Sequence, residues 1–308
     1  MSGTHPQIEL AAKVANALRE GRAIVALEST ILTHGMPYPD NLAMARSVEA
    51  LIREGGATPA TVAVVDGRIR VGLDDAALDA LARVADPAKL SRADLPFAVA
   101  RRRTGGTTVA ATMIVAHLAG IDVFATGGIG GVHRGAESSF DESADLAEFG
   151  RTDVVVVSAG AKAILDVPKT LERLETLGVP VVGYRTDRMP AFWSSSSEID
   201  VPLRLDSAAE IADFELTRRR LGVSGGVLVV NPVPAEVEIP ADEIGVHILA
   251  AQAEADAAGV HGKDVTPFLL ARILELTAGR SLVTNIALVE HNARLAAEIA
   301  VALRAAAE

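Results

Sequence analysis

No cysteine occurs anywhere in the 308 residues, which excludes disulfides, thiolate metal ligands and cysteine nucleophiles together and suits a reducing cytoplasm. Aromatic residues are scarce at 3%, against a hydrophobic fraction of 49%, so the core has to be built from Ala, Val, Leu and Ile. Short aliphatic runs of this kind are typical of α/β folds, whose parallel strands are covered on both faces by helices. Positive charge is also short, with a formal net charge of -11, and this disfavours general binding to nucleic acid or to an anionic membrane. A small anion would need a local cluster of cations and backbone N–H groups. No stretch reaches the roughly 20 apolar residues that span a bilayer, and MSGTHPQIELAAK lacks a basic region followed by an apolar core. The expectation is a soluble, cytoplasmic protein.

Residues 8–20 place Ile8, Ala11, Val14, Ala15 and Leu18 on one helical face, and a strand over 23–29 follows at once. The prolines of THGMPYPD predict a loop before a helix over 41–54. TVAVVDGRIRVGL, residues 61–73, has two β-rich arms around Asp66-Gly67, the signature of a hairpin, and this speaks against a purely parallel barrel. Beyond residue 100 helices at 108–119, 168–178 and 207–221 are interspersed with strands at 121–126, 153–158, 179–184 and 226–230. Helices over 241–258, 266–278 and 286–306 close the chain. No repeat, heptad or break in composition appears, and the tetraserine Ser194 to Ser197 reads as a mobile loop. These features predict one domain over 1–308, a three-layer α/β/α sandwich with a mixed central sheet.

Four predicted strands end in polar loops, the place where open α/β sheets collect ligands. Glu28 closes the run Ala23-Ile24-Val25-Ala26-Leu27, where an ionised group needs a partner or a task. Lys162 follows four valines and the small residues Ser158, Ala159, Gly160 and Ala161; it reads either as a desolvated nucleophilic amine or as a solvated lysine near a helix start. TGGIGG fails as a dinucleotide fingerprint, because the required third glycine falls on His133 and the alternative frame puts Ile129 where glycine is needed. A glycine-rich loop that lets backbone approach a small ligand remains, with His133 and Arg134 on its far side. In FDESADLAEF a helix would set Asp141 and Asp145 on one face, suited either to Mg²⁺ or Mn²⁺ or simply to the helix macrodipole. TGGTTVAATM presents Thr107, Thr108 and free N–H groups at a helix start, either for an anion or as a plain cap, and Lys89 and Arg92 lie close by in KLSRADL. Asn231 opens the fourth loop, NPVP.

Together these segments resemble the pseudouridine-5'-phosphate glycosidases, or pseudouridylate synthases, which are related to the indigoidine synthase A group. The matching stretches are ALESTILTHGMPYPDN, GGATPATVAVVDGRIRVGL, KLSRADLP, GGTTVAATM, VFATGGIGGVHRGAESSFDESADL, SAGAKAILD, TLERLETLGVPVVGY and SLVTNIALVEHNARLAAEIA, spanning about residue 23 to the C-terminus. The resemblance implies an α/β/α homotrimer that needs Mn²⁺ and reversibly cleaves pseudouridine 5'-phosphate to uracil and ribose 5-phosphate. It implies Lys162 as nucleophile, Glu28 as proton donor and Asp141 as metal ligand. Lys89, Val109 and the segment Ser143-Ala144-Asp145 would contact substrate, with Thr108, His133 and Asn285 as further pocket residues. The chain departs from the family pattern at Ala163, where Ser is common, at Glu142, where an apolar residue is usual, at Trp193, where Tyr is common, and in the tetraserine.

Because the base is joined through carbon, protonating a leaving heteroatom cannot easily release it. An acid at Glu28 that opens the sugar and an amine at Lys162 that adds at C1' supply another electron path, through an imine. Two rival readings stand beside this one: a Schiff-base aldolase acting on a phosphosugar, and a non-catalytic phosphosugar-binding module.

Overall fold

The computed structural model describes residues 7–260, 262 and 265–306, so the reading of the first six residues falls outside it. The chain opens with β1 (Ile8–Leu10), α1 (Ala12–Arg19), β2 (Ile24–Leu27), α2 (Asp40–Glu54), β3 (Thr58–Val65), β4 (Arg68–Val71) and α3 (Asp75–Ala82). Next come β5 (Ala88–Leu90), α4 (Asp94–Ala100), β6 (Gly105–Thr107), α5 (Val109–Leu118), β7 (Val123–Ala125), α6 (Ala136–Ser139), α7 (Ala144–Phe149) and β8 (Val155–Ser158). It closes with α8 (Val167–Thr176), β9 (Val181–Tyr184), β10 (Leu203–Leu205), α9 (Ala208–Leu221), β11 (Val227–Val230), α10 (Ala241–Ala257), α11 (Val265–Leu276) and α12 (Arg280–Ala305).

The strands form one mixed, open sheet in the order β1-β4-β3-β2-β7-β8-β11-β9-β10, with β6 also on β3 and β5 on β6. All pairings are parallel except β3 with β4 and β3 with β6. The predicted hairpin is β3–β4, its turn made by Asp66 at φ 50° and Gly67 at φ 76°. Helices cover both sides, giving the α/β/α sandwich. Long α12 packs on β2, β7 and β8 and between α2 and α9; α5 packs on β2, β3 and β7.

The four residues of β2, of β8 and of β11 are all buried, as the aliphatic runs predicted for strands with helices on both faces. Several elements differ from expectation: α3, β5, α4, β6 and β10 fall where none was predicted, and residues 33–35 of the predicted loop lie in a helical turn over Ile31–Gly35. Residues 8–10 are strand β1, paired in parallel with β4, and the helix begins only at Ala12. The free edge of β4 overrides a helical periodicity that Ile8 otherwise fits. An open sheet with β1 and β10 at its two ends also removes the barrel scaffold on which Schiff-base aldolases often rest.

Close backbone contact sets the geometry beside Glu28. Gly106 pairs with Ala63, and a Cβ added there would lie 2.4 Å from Thr33 Oγ1 and 2.8 Å from the carbonyl of Ser29. Gly106→Ala therefore pushes β6 off the turn that follows Glu28, at a cost of about 1–3 kcal/mol. The midpoint of denaturant unfolding measures it, and an unchanged midpoint would mean that β6 has room to spare.

Candidate active site

Strands β2, β7 and β8 lie side by side and run the same way, so their carboxyl ends open together. Glu28, first residue after β2, is 8% exposed. The hydroxyl of Thr126, directly after β7, donates to its Oε1, and that of Thr30 donates to its Oε2. Thr126 is itself fixed: its N–H donates to the carbonyl of Val157 at 3.0 Å, and its carbonyl accepts from Asn292 Nδ2 of α12 at 2.9 Å. Asn231, after β11, donates to Asn292 Oδ1 at 3.1 Å. The buried carboxylate thus ends a polar chain that crosses the sheet.

Lys162 arrives by a second route. Gly160 turns the chain after β8 at φ +84°, a conformation that costs a side-chain-bearing residue. The loop then zips onto the one after β7, with Ile129 N–H on Gly160 O at 3.0 Å and Lys162 N–H on Ile129 O at 3.1 Å. That second loop also holds residues 141–143, through His133 N–H on Asp141 O and Ser143 N–H on Gly131 O, each 3.0 Å. Its glycines serve the protein's own packing: a Cβ on Gly130 would lie 2.2 Å from Ser143 Oγ.

The structure brings the sequence-predicted residues together. Glu28, Lys89, Thr108, Val109, His133, Asp141, Ser143, Ala144, Asp145 and Lys162 line one cavity of about 680 Å³. Asn285 lines a narrower recess, walled by Ile31, Met36, Phe192, Leu270, Leu288 and Val289, and Glu28, Thr30, Lys89 and Lys162 border both spaces. Glu28 and Lys162 therefore face one hollow.

Two expectations need correction. Asp141 and Asp145 share no helical face: Glu142 bridges Val132 in extended pairing, and α7 starts at Ala144 behind the N-cap Ser143. Asp145 does sit in the first turn of α7, but its oxygens are already bonded, to the N–H groups of Ala110 and Gly130 at 2.8 Å each. The start of α5 is accordingly less open to an anion than its sequence suggests, since Asp145 takes Ala110 N–H and the Thr108 hydroxyl caps Ala111 N–H. Arg92 borders the cavity while also pairing with buried Glu148.

The cavity carries charges of both signs: Lys89, Arg92 and Lys162 border it together with Glu28, Asp94, Asp141, Glu142 and Asp145. His133 is held below the ordinary histidine value by burial first, with the carboxylate of Asp141 opposing and the charges of Lys89 and Lys162 adding to the effect. His34, at the recess, is lowered by burial and then by Lys89. As for a metal, no group of three or more His, Asp or Glu among the described residues could hold one. The Asp141 side chain is 42% exposed, borders the cavity and lies 4.0 Å from His133 Nδ1. It fits a hard divalent cation as a single carboxylate anchor, with water and substrate oxygens completing the shell; it does not form an all-protein cage.

Sequence reasoning missed His34 and Phe192; it placed Thr30 and Thr126 in the polar loops after their strands but did not join either to Glu28. A hydroxyl directly after a strand, as in Ala125-Thr126, was the available signal for Thr126; nothing local marked His34 or Phe192.

A family model described as indigoidine synthase A like protein matches residues 13–302. A protein of Mesorhizobium japonicum named pseudouridine-5'-phosphate glycosidase is 66% identical over 298 residues, covering 97% of this chain and 98% of its own. One of the same name from Dinoroseobacter shibae is 64% identical over 296 residues, covering 96% and 97%. Among solved structures, an indigoidine synthase A-like protein of Thermotoga maritima superposes with a TM-score of 0.89 at 37% identity, covering 99% of both chains. A prealnumycin C-glycosynthase in complex with ribulose 5-phosphate superposes with a TM-score of 0.91 at 36% identity, covering 98% of this chain and 99% of its own.

Asp145→Asn turns an acceptor toward one amide and a donor toward the other; leaving one buried N–H unmatched costs about 1–3 kcal/mol, read from the unfolding midpoint. The depressed His34 fixes a sign with pH. Its folded value lies below the unfolded one of 6.5, so its contribution is complete above that pH and is lost as pH falls. On moving from about pH 7.5 to about pH 5.5 wild type should lose more thermal stability than His34→Gln. Parallel melting curves for the two proteins would refute this.

Proposed function

Because the chain belongs to the indigoidine synthase A-like family, we propose that it reversibly cleaves the carbon–carbon glycosidic bond of pseudouridine 5'-phosphate, giving uracil and ribose 5-phosphate. The observation that carries this reading is the meeting of Glu28 and Lys162, from beyond the ends of β2 and β8 on either side of β7, in one cavity. The shape of the site supports it as well. Lys89 and Arg92 on the cavity wall suit a sugar phosphate, and the apolar recess beside Asn285 suits a planar base. The glycosidase name of the relatives and the sugar phosphate bound to the C-glycosynthase point the same way.

Glu28, aimed by Thr30 and Thr126, protonates the ring oxygen O4'. The C1'–O4' bond breaks as electrons from the pyrimidine N1 move through the C5–C6 double bond to form C5=C1', and N1 gives up its proton. The Lys162 amine adds to C1', returning that electron pair to the ring. Protonation at C5 then lets the C1'–C5 bond break while the lysine nitrogen forms a C=N bond; the released pair restores C5=C6, N1 takes back a proton, and uracil leaves. Water hydrolyses the imine to ribose 5-phosphate and restores Lys162. The net change is substrate plus water to uracil plus ribose 5-phosphate.

Asp141 is the residue that would anchor a divalent cation. When bound, such an ion supplies positive charge that orders polar substrate groups. Manganese as that ion and a trimeric assembly rest on the family resemblance, and a cytoplasmic location rests on the cysteine-free composition.

Incubating the protein with pseudouridine 5'-phosphate and following the ultraviolet change tests the activity. Glu28→Gln should lower kcat by about 10²–10⁴. Borohydride with ribose 5-phosphate should fix the sugar on wild type and leave Lys162→Ala unlabelled. A labelled Lys162→Ala protein would remove Lys162 from the imine step.

A further inference from the structure

Trp193 is buried, at 1% exposure, and does not border the recess; Phe192 stands between, its ring meeting the indole edge-on with centroids 5.1 Å apart at 73°. The indole is held from both sides of its backbone, through Phe192 N–H on Ala159 O at 3.2 Å and Trp193 O accepting from Ile239 N–H at 2.8 Å. Its Nε1–H donates to Asn285 Oδ1 at 2.7 Å. An indole nitrogen can only donate, so this bond decides which end of the carboxamide faces it. The oxygen of Asn285 is turned to Trp193, and the NH₂ is the end left to serve the recess.

We infer that Trp193 is a positioning residue for base specificity: by fixing the Asn285 amide, it makes that wall of the recess a hydrogen-bond donor. This rests on the proposed base site. A donor there accepts a pyrimidine carbonyl and refuses an amino group in its place, because two donors would then face each other out of water. Uracil offers a carbonyl at both C2 and C4. A ring without a donor at position 193 leaves the amide free to rotate, and the recess can then present either end.

The test compares kcat/KM for pseudouridine 5'-phosphate with that for its 2-amino and 4-amino analogues, in which one or the other carbonyl oxygen is replaced. Wild type should disfavour at least one analogue by about tenfold or more, and Trp193→Phe should lose most of that preference. Asn285→Asp keeps an acceptor for the indole but leaves no donor, and should shift the preference toward the amino compound. The inference is overturned if wild type favours neither carbonyl, if Trp193→Phe keeps the wild-type ratio, or if Asn285→Asp still prefers uracil. Should Trp193→Phe fail to fold, Trp193→Tyr decides, because its hydroxyl can both donate and accept and should narrow the wild-type preference; an unchanged ratio overturns the inference. Wild type that does not cleave the uracil substrate at all would overturn the functional reading and this inference together; cleavage with an unchanged ratio overturns the inference alone.

Discussion

The parallel adjacency of β2, β7 and β8 is the constraint on which the site depends. Residues distant in sequence are brought to one place: Glu28 and Thr126 directly follow β2 and β7, and the loop after β8 delivers Lys162 four residues beyond Ser158. Burial makes this adjacency exacting. A carboxylate at 8% exposure is tolerated only with partners, and the two hydroxyls that supply them also dictate where the acid points. The requirement that stabilises Glu28 is thus the one that aims it, and the Asn231–Asn292 pair extends the same ordering to α12.

Electrostatics divides the cavity into regions. A chain with net charge -11 repels anions in general, yet Lys89, Arg92 and Lys162 border one hollow, and two histidines beside them are held toward the neutral form by burial and by those lysines. Neutral imidazoles add no further positive charge, and Glu28, Asp94, Asp141, Glu142 and Asp145 border the same hollow, so attraction for a phosphate rests locally on Lys89, Arg92 and Lys162 rather than on the net charge of the cavity. The acidic run from Asp141 to Asp145 is shared between different tasks. Asp145 is consumed in joining the start of α5 to the Gly130 loop, Glu142 pairs with Arg173 while also bordering the cavity, and Asp141 keeps an exposed carboxylate on the cavity.

Much of this was legible in the sequence, because short aliphatic runs and polar strand ends are local signals. Glu28 stood out as a charge at the end of a buried run, Lys162 as an amine after valines and small residues, and Asp66-Gly67 as a hairpin turn. What escaped depended on partners far along the chain. Ile8–Leu10 fits a helix until the edge of β4 is present to pair with it. The spacing of Asp141 and Asp145 fits one helical face until Val132 pairs with Glu142 and draws the first of them into extended chain. His34 and Phe192 carry no local mark, since their place at the recess is set by how the segment after β2 and the turn at 191–194 fold against α11 and α12.

Trp193 shows how such a long-range dependence reaches chemistry. It is one of the few positions where the chain departs from the pattern of the family it resembles, and a tyrosine hydroxyl in its place could both donate and accept. An indole removes that ambiguity, because its nitrogen has no lone pair to offer an amide. The choice of ring in a buried turn therefore fixes the polarity of a carboxamide that lies 92 residues further along the chain, on a helix packed across the strand ends. A side chain outside the cavity can in this way decide what the cavity accepts, since the orientation of a buried amide belongs to its whole hydrogen-bond partnership.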